Sequence, residues 1–285
     1  MSIRDSVLEK VTSIPSMPTA ANTVVGLLKD PDVDINTLMR AIEFDQGLTS
    51  NVLRLANSAY FAGPRTIGSL RDAIVRLGMN RIFQLVIMSA IVPVARHEIR
   101  GYDIPPGKLL EHSIAVAIGA EEIAQQLNLK APYFTFTAGL LHDLGKIVLG
   151  TFLEVDIQRV VNLAYAGEAT FEDAEAEVLG IDHAETGALL LQAWNLPESI
   201  VDAVMYHHRP EDFRGDSLVV DLVHLADSMA LSNGLGRGFD GLNYKPNEQV
   251  LQRRKLEDES SEAIVARMLE GIDEFRDLTG ANTDR

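Results

Sequence analysis

The chain contains no cysteine among its 285 residues. Disulfides, thiolate metal sites and cysteine nucleophiles are therefore excluded, and a reducing, cytoplasmic setting is expected. Aromatic residues are scarce at 6%, with a single tryptophan, while 46% of the chain is hydrophobic. A full core must then come from Leu, Ala, Ile and Val, a mixture that favours helices. Long apolar runs are missing too. The first ten residues, MSIRDSVLEK, hold no apolar signal core. The longest apolar stretch, residues 82–95, is broken by Gln84, Ser89 and Pro93. It is too short to span a bilayer, so a buried core helix and no membrane association are expected. Basic residues are outnumbered, 25 against 41 acidic ones, for a net charge of −16. Residues 1–96 hold ten Lys/Arg and eight Asp/Glu, so the acidic excess lies entirely beyond them. General nucleic-acid binding needs Lys and Arg to neutralise phosphates and is not expected of such a chain.

What is present is helical periodicity, and no convincing period-2 strand. Asp34 and Asp45 are suited to cap helices carrying Ile35, Leu38, Met39 and Ile42, then Leu48, Val52 and Leu55. Ser69 starts a helix over residues 70–77, Gly78 ends it, and residues 79–91 form the next. Residues 97–106, polar at His97 and Glu98 and closed by Pro105 and Pro106, read as a linker. Longer helices follow over residues 108–127, 134–149, 155–166, 172–179, 184–194, 198–208 and 217–232. Asp182 and Glu185 form a capping-box pair, and Pro197 takes a first helical position. Residues 233–248 are a glycine-rich loop, and a polar helix over roughly residues 258–278 closes the chain. The expected fold is all-α. It has an N-terminal helical subdomain (1–96), the linker (97–106), a helical bundle (107–232), and the loop with the last helix (233–285).

Within this helical frame, polar residues sit where core residues belong. His112 shares a face with Val116, Ala120, Ile123 and Leu127. His142 and Asp143 interrupt an apolar run. His207 and His208 follow Val204 by three and four residues, and Asp227 continues the face of Val220 and Val223. Burying an Asp unpaired costs several kcal/mol. Mutual hydrogen bonding is the bland solution. Yet His112, His142, His183, His207 and His208 are five of the seven histidines and could meet Asp143 and Asp227 in one bundle. Helix bundles build metal sites this way, and imidazole with carboxylate suits Fe, Mn or Zn better than Mg or Ca.

The order H…HD…H…HH…D is similar to the metal-binding signature of the HD phosphohydrolase superfamily. It resembles still more the HDOD family, the HD-related output domains of bacterial signalling proteins. The similarity runs over roughly residues 8–235. It rests on residues 14–18, 45–49, 53–61 and 69–78, and on GLLHDLGK at 139–146. His112-Ser113, residues 182–187, residues 194–197, His207-His208 and residues 224–227 add to it. The resemblance implies that His112, His142, Asp143 and Asp227 hold one divalent ion. Asp143 would bridge to a second, held by His183, His207 and His208. Lys146 would face a phosphate or the activated water, so Lys146 and Asp143 are the catalytic candidates. A Gly-Tyr-Pro motif, carried after the HH pair by related cyclic di-GMP phosphodiesterases, is missing from the segment after His208. Lys108 stands where some of them have a glutamate, which disfavours a third ion.

Two readings follow. One is a signalling output module with a dinuclear centre, acting through a protein partner or a small nucleotide ligand, with a homodimer compatible. The other is a metal-dependent phosphohydrolase acting on a nucleotide or cyclic dinucleotide. Other residues have plainer roles. His224 is a packing histidine, His97 a surface residue and Trp194 part of the core. Arg253, Arg254 and Lys255 are expected to form a salt-bridged face with the acidic residues at 257–259.

Overall fold

Helix starts are set locally by side-chain acceptors. Asp34 accepts from the N–H groups of Asn36 and Thr37 and opens α3 (Ile35–Glu43). Asp45 accepts from Leu48 N–H and opens α4 (Gln46–Ala56). Ser69 accepts from Asp72 N–H and opens α5 (Leu70–Ala95). Each satisfies a donor that the first turn leaves unpaired. The computed structural model describes residues 2–13, 17–30, 32–61, 63–166, 169–216, 218–235, 238, 246–256 and 258–276. Residues 14–16, most of the glycine-rich loop, Glu257 and the end of the last predicted helix lie outside them. The fold is all-α: among the described residues the only β-pairing is one isolated bridge, Ile99 to Ile104.

Before α3 come α1 (Ile3–Ser13) and α2 (Thr19–Leu28). α2 to α5 pack on one another. Gly78, at φ 79° and ψ 166°, breaks α5 into two arms, a conformation that glycine adopts without penalty. By length and composition α5 could cross a membrane, yet 56% of its most apolar stretch is buried inside the fold. Its second arm buries Ile82, Phe83, Leu85, Val86, Ile87 and Met88.

α6 (Lys108–Gln126) is the axis of the second half. Against it lie α7 (Thr135–Leu141), α12 (Leu218–Ser232) and α14 (Asp258–Glu274). α8 (Gly145–Tyr165), α9 (Phe171–Leu179), α10 (His183–Ala193) and α11 (Glu198–Tyr206) complete the bundle, and α13 (Glu248–Arg254) follows α12. Tyr60 and Phe61, from the loop after α4, meet Phe136 of α7 and Phe275 beyond α14 at centroid distances of 5.2–6.4 Å. Tyr60 also donates to Glu121 of α6 (2.9 Å). These contacts join the two halves.

The structure departs from the sequence reading in several places. α1 lies against α8 and α10 rather than with α2–α5, and Arg4 pairs there with Glu185. Because Glu185 answers Arg4, only half of the expected capping box is present: Asp182 accepts from Glu185 N–H at 2.7 Å. Residues 97–106 are anchored in the core at Ile99, Gly101, Tyr102 and Ile104, while the other six are exposed. A short 3-10 turn over Arg100–Tyr102 buries Tyr102 completely, with Ile99 and Ile104 beside it. The salt-bridged face expected of Arg253, Arg254 and Lys255 with residues 257–259 falls on acidic side chains outside the described ones. The guanidinium groups of Arg253 and Arg254 both bind Asp221, which is fully buried. A carboxylate excluded from water needs such cations as partners. Finally, Pro197 precedes α11 at its N-cap rather than inside its first turn.

Candidate metal centre

The single helix expected over residues 134–149 is two helices, α7 and α8, and the HD pair is the corner between them. Here the backbone tightens into i→i+3 bonds: Leu144 N–H to Leu141 C=O (3.0 Å) and Lys146 N–H to Asp143 C=O (3.0 Å). Such a turn between α-helices redirects side chains. Two glycines allow the neighbours in. A Cβ on Gly139 would sit 2.7 Å from Ala117 Cα in α6, and one on Gly145 would sit 1.9 Å from the His183 carbonyl oxygen. The absence of both side chains therefore brings α6 and α10 up against the HD corner.

All seven residues come together. His112 arrives from α6, His142 and Asp143 from the corner, His183 from the first position of α10, His207 and His208 from the end of α11, and Asp227 from α12. His112, His142, Asp143, His183, His207 and Asp227 are at most 3% exposed. The donor atoms fall into two groups, each within 4.8 Å: His112, His142 and Asp227, and Asp143, His183, His207 and His208. Asp143 faces both. Its Oδ2 lies 3.5 Å from His112 Nε2 and 3.4 Å from His142 Nε2. Its Oδ1 lies 3.5 Å from His183 Nε2 and 3.9 Å from His207 Nε2. Asp227 Oδ1 is 3.1 Å from His112 Nε2 and 3.6 Å from His142 Nε2. Ligands at about 2.1 Å from a first-row ion are about 3.0–3.4 Å apart, close to these spacings.

The rings are oriented from behind. His142 Nδ1 donates to the Gly139 carbonyl (2.7 Å), His207 Nδ1 to the Val204 carbonyl (2.7 Å) and His112 Nδ1 to the Leu235 carbonyl (3.2 Å). His183 Nδ1 donates instead to Glu175 Oε2 (2.7 Å). With Nδ1 held from behind, each Nε2 faces inward, the arrangement by which imidazoles meet a metal, and His183 Nε2 lies 2.8 Å from His208 Nε2. His112 Nε2, His142 Nε2, His207 Nε2, Asp143 Oδ1 and Asp227 Oδ2 are buried with no hydrogen-bond partner. Buried polar atoms are rarely left so, and here they converge. The donor set therefore fits a divalent cation.

Charge coupling inside the cluster is strong. Burial lowers the tendency of His142 to protonate, but Asp143 and Asp227 outweigh it and push its pKa up to about 10. Asp143 is opposed by burial yet held well below the usual carboxylate range by His142 and Lys146. Burial, together with His142 and His183, drives His207 well below its ordinary value. Lys146, the second catalytic candidate, is 2% exposed and donates to Asp143 Oδ2 at 2.5 Å. Its Nζ also lies 5.9 Å from the centre of the Tyr102 ring. It is thus built into the cluster rather than presented at an open surface.

Sequence reasoning missed Glu175, Tyr102 and the role of His224. His224 is buried as expected of a packing histidine, but its Nδ1 donates to the His207 carbonyl (2.7 Å), fixing the HH pair. Glu175 stands on the apolar face of its helix, four residues after Phe171, and that misplacement is the available signal.

Glu172, one turn earlier, gives a pH prediction. Burial raises its carboxyl from an ordinary 4.5 to about 7. The folded protein then holds this group neutral where the unfolded chain ionises it, so its contribution to stability falls between pH 4.5 and 7. Glu172→Gln removes that loss. In urea denaturation with chelator present, the variant is expected to exceed wild type by about 2–3 kcal/mol at pH 8 and to match it near pH 4.5. An equal difference at both pH values would contradict the assignment.

A helical bundle with a buried His/Asp cluster at an HD corner defines an HD-type module. The HDOD domain model matches residues 14–210, and the chain belongs to that family. A crystal structure of an HDOD domain protein of unknown function from Geobacter sulfurreducens is 28% identical, with a TM-score of 0.68. The match covers 98% of this chain and 97% of that one. A proposed phosphohydrolase from Shewanella amazonensis SB2B is 26% identical with a TM-score of 0.72, over 96% and 98% of the two chains. Ribonuclease Y of Thermus thermophilus is 30% identical over 148 residues, 52% of this chain and 21% of that protein. The chain spans less than half the length of the curated relatives it matches, including 46% of an uncharacterized protein of Treponema pallidum.

Proposed function

We propose that this chain is an HDOD signalling module whose His/Asp cluster is a centre for two divalent cations drawn from Fe, Mn and Zn. The carrying observation is the convergence of buried polar atoms without hydrogen-bond partners, from separate elements of the bundle, onto the two faces of Asp143. His112, His142, Asp227 and Asp143 Oδ2 would hold one cation. His183, His207, His208 and Asp143 Oδ1 would hold the other. Bound divalent ions supply Lewis-acid stabilisation and make water acidic. The chain's own share is positional. Lys146 fixes the Asp143 carboxylate, and the Nδ1 bonds fix the rings. Signal output then runs through a protein partner or a small nucleotide in the cytoplasm.

The second reading is hydrolysis of a phosphodiester. Its support is the complete donor set with Lys146 beside it, and the likeness to ribonuclease Y over about half of the chain. Against it stands the tie between Lys146 and Asp143, which leaves that ammonium buried.

Thermal denaturation of chelator-stripped protein, titrated with Mn, Fe(II) or Zn, tests the centre. A cation at 1,000 times its Kd stabilises by about 4 kcal/mol, so a clear rise in Tm is expected, abolished in Asp143→Asn. A Tm indifferent to all three cations would sink the proposal. The loaded protein, offered cyclic dinucleotides and a chromogenic phosphodiester, separates the readings: turnover marks a hydrolase, inert metal-loaded protein a module.

A further inference from the structure

The inward histidines do not share one kind of support. His112, His142 and His207 donate Nδ1–H to backbone carbonyls, whereas His183 donates to a carboxylate. That carboxylate, Glu175, is fully buried. Its Oε2 accepts both the backbone N–H of His183 (2.9 Å) and the ring Nδ1–H (2.7 Å). Its Oε1 accepts the hydroxyl of Tyr102. Three donors thus lock one carboxylate behind one imidazole. A carbonyl is a neutral acceptor, but a carboxylate draws on the Nδ1 proton and makes Nε2 a stronger donor to a cation. Among these four rings, His183 alone has an anionic acceptor behind it. The Tyr102 ring also stands edge-on to His183 at 6.3 Å, with Lys146 Nζ 5.9 Å from its centre.

We propose that Glu175, held by Tyr102, is the positioning residue of His183 and makes the two cation positions unequal. The position built from His183, His207 and His208 depends on Glu175; the one built from His112, His142 and Asp227 does not. This rests on the two-cation reading above.

The test is chelator competition on the full chain loaded with Mn or Zn, counting bound ions against free chelator for wild type, Glu175→Gln and Tyr102→Phe. Glu175→Gln is expected to keep one ion as wild type does. It should release the other at tenfold to a hundredfold lower chelator, the usual loss when such a supporting group is removed. Tyr102→Phe should weaken the same ion by a smaller factor, with a Tm in excess chelator close to wild type. The ion lost must be the one that His183→Ala loses and not the one that His112→Ala loses. Both ions retained as in wild type, or both weakened alike, would overturn the assignment of Glu175. Wild type that binds no ion would overturn the two-cation reading itself, a distinguishable result.

Discussion

Replacing Asp143 with asparagine is expected to cost the metal-free protein about 3–5 kcal/mol, the range for breaking a buried ion pair by removing one partner. Asp143 is 1% exposed and sits between Lys146, itself 2% exposed, and four imidazoles. The neutral amide leaves the Lys146 ammonium buried without its 2.5 Å carboxylate partner. It also removes the leading attraction that keeps His142 protonated up to about 10. Asparagine matches the shape of aspartate, so the loss is electrostatic and not a cavity effect. Denaturant unfolding in excess chelator measures it. A penalty under about 1 kcal/mol would mean that the buried charges are solvated in a way this packing does not provide.

Gly145→Ala is the second large effect, and it acts through shape alone. The added methyl carbon would lie 1.9 Å from the His183 carbonyl oxygen and 2.6 Å from Gly187 N. Both are backbone atoms, so no side chain can swing away, and α8 must part from α10. A loss of about 3 kcal/mol is expected, at the upper end of ordinary overpacking. His183 should shift with α10, so the variant should also lose cation binding. Gly26→Ala is the matched control. Nothing lies within 4 Å of a Cβ there, inside α2. It should stabilise by about 0.5–1 kcal/mol through helix propensity. Equal Tm values for the two variants would refute the close approach.

The cluster was legible in the sequence because most of its members interrupt an apolar helical face, and such interruptions are visible one residue at a time. His112 and Asp227 illustrate this: their helices run over almost the residues that spacing predicts. The corner at His142-Asp143 was not legible. Residues 134–149 carry no proline, and Gly145 reads as a tolerated helix residue unless the backbone of α10 is known to approach it. Glu175 was hidden by composition, one carboxylate in a strongly acidic part of the chain. Tyr102 was hidden by its setting, a Gly- and Pro-containing segment that looks like a linker while a buried hydroxyl anchors it to Glu175. Arg253 and Arg254 pair with a residue 32 and 33 positions away. A local charge pattern cannot reveal a partner so distant in sequence.

The most direct test is elemental analysis of the protein purified without chelator and without affinity-metal exposure, beside an Asp143→Ala control. About two equivalents of Fe, Mn or Zn per chain are expected, lost in the control. A native protein that holds no metal, and takes up none on anaerobic incubation with Fe(II) or Mn, would contradict this and leave a hydrogen-bonded charge cluster in place of a metal centre.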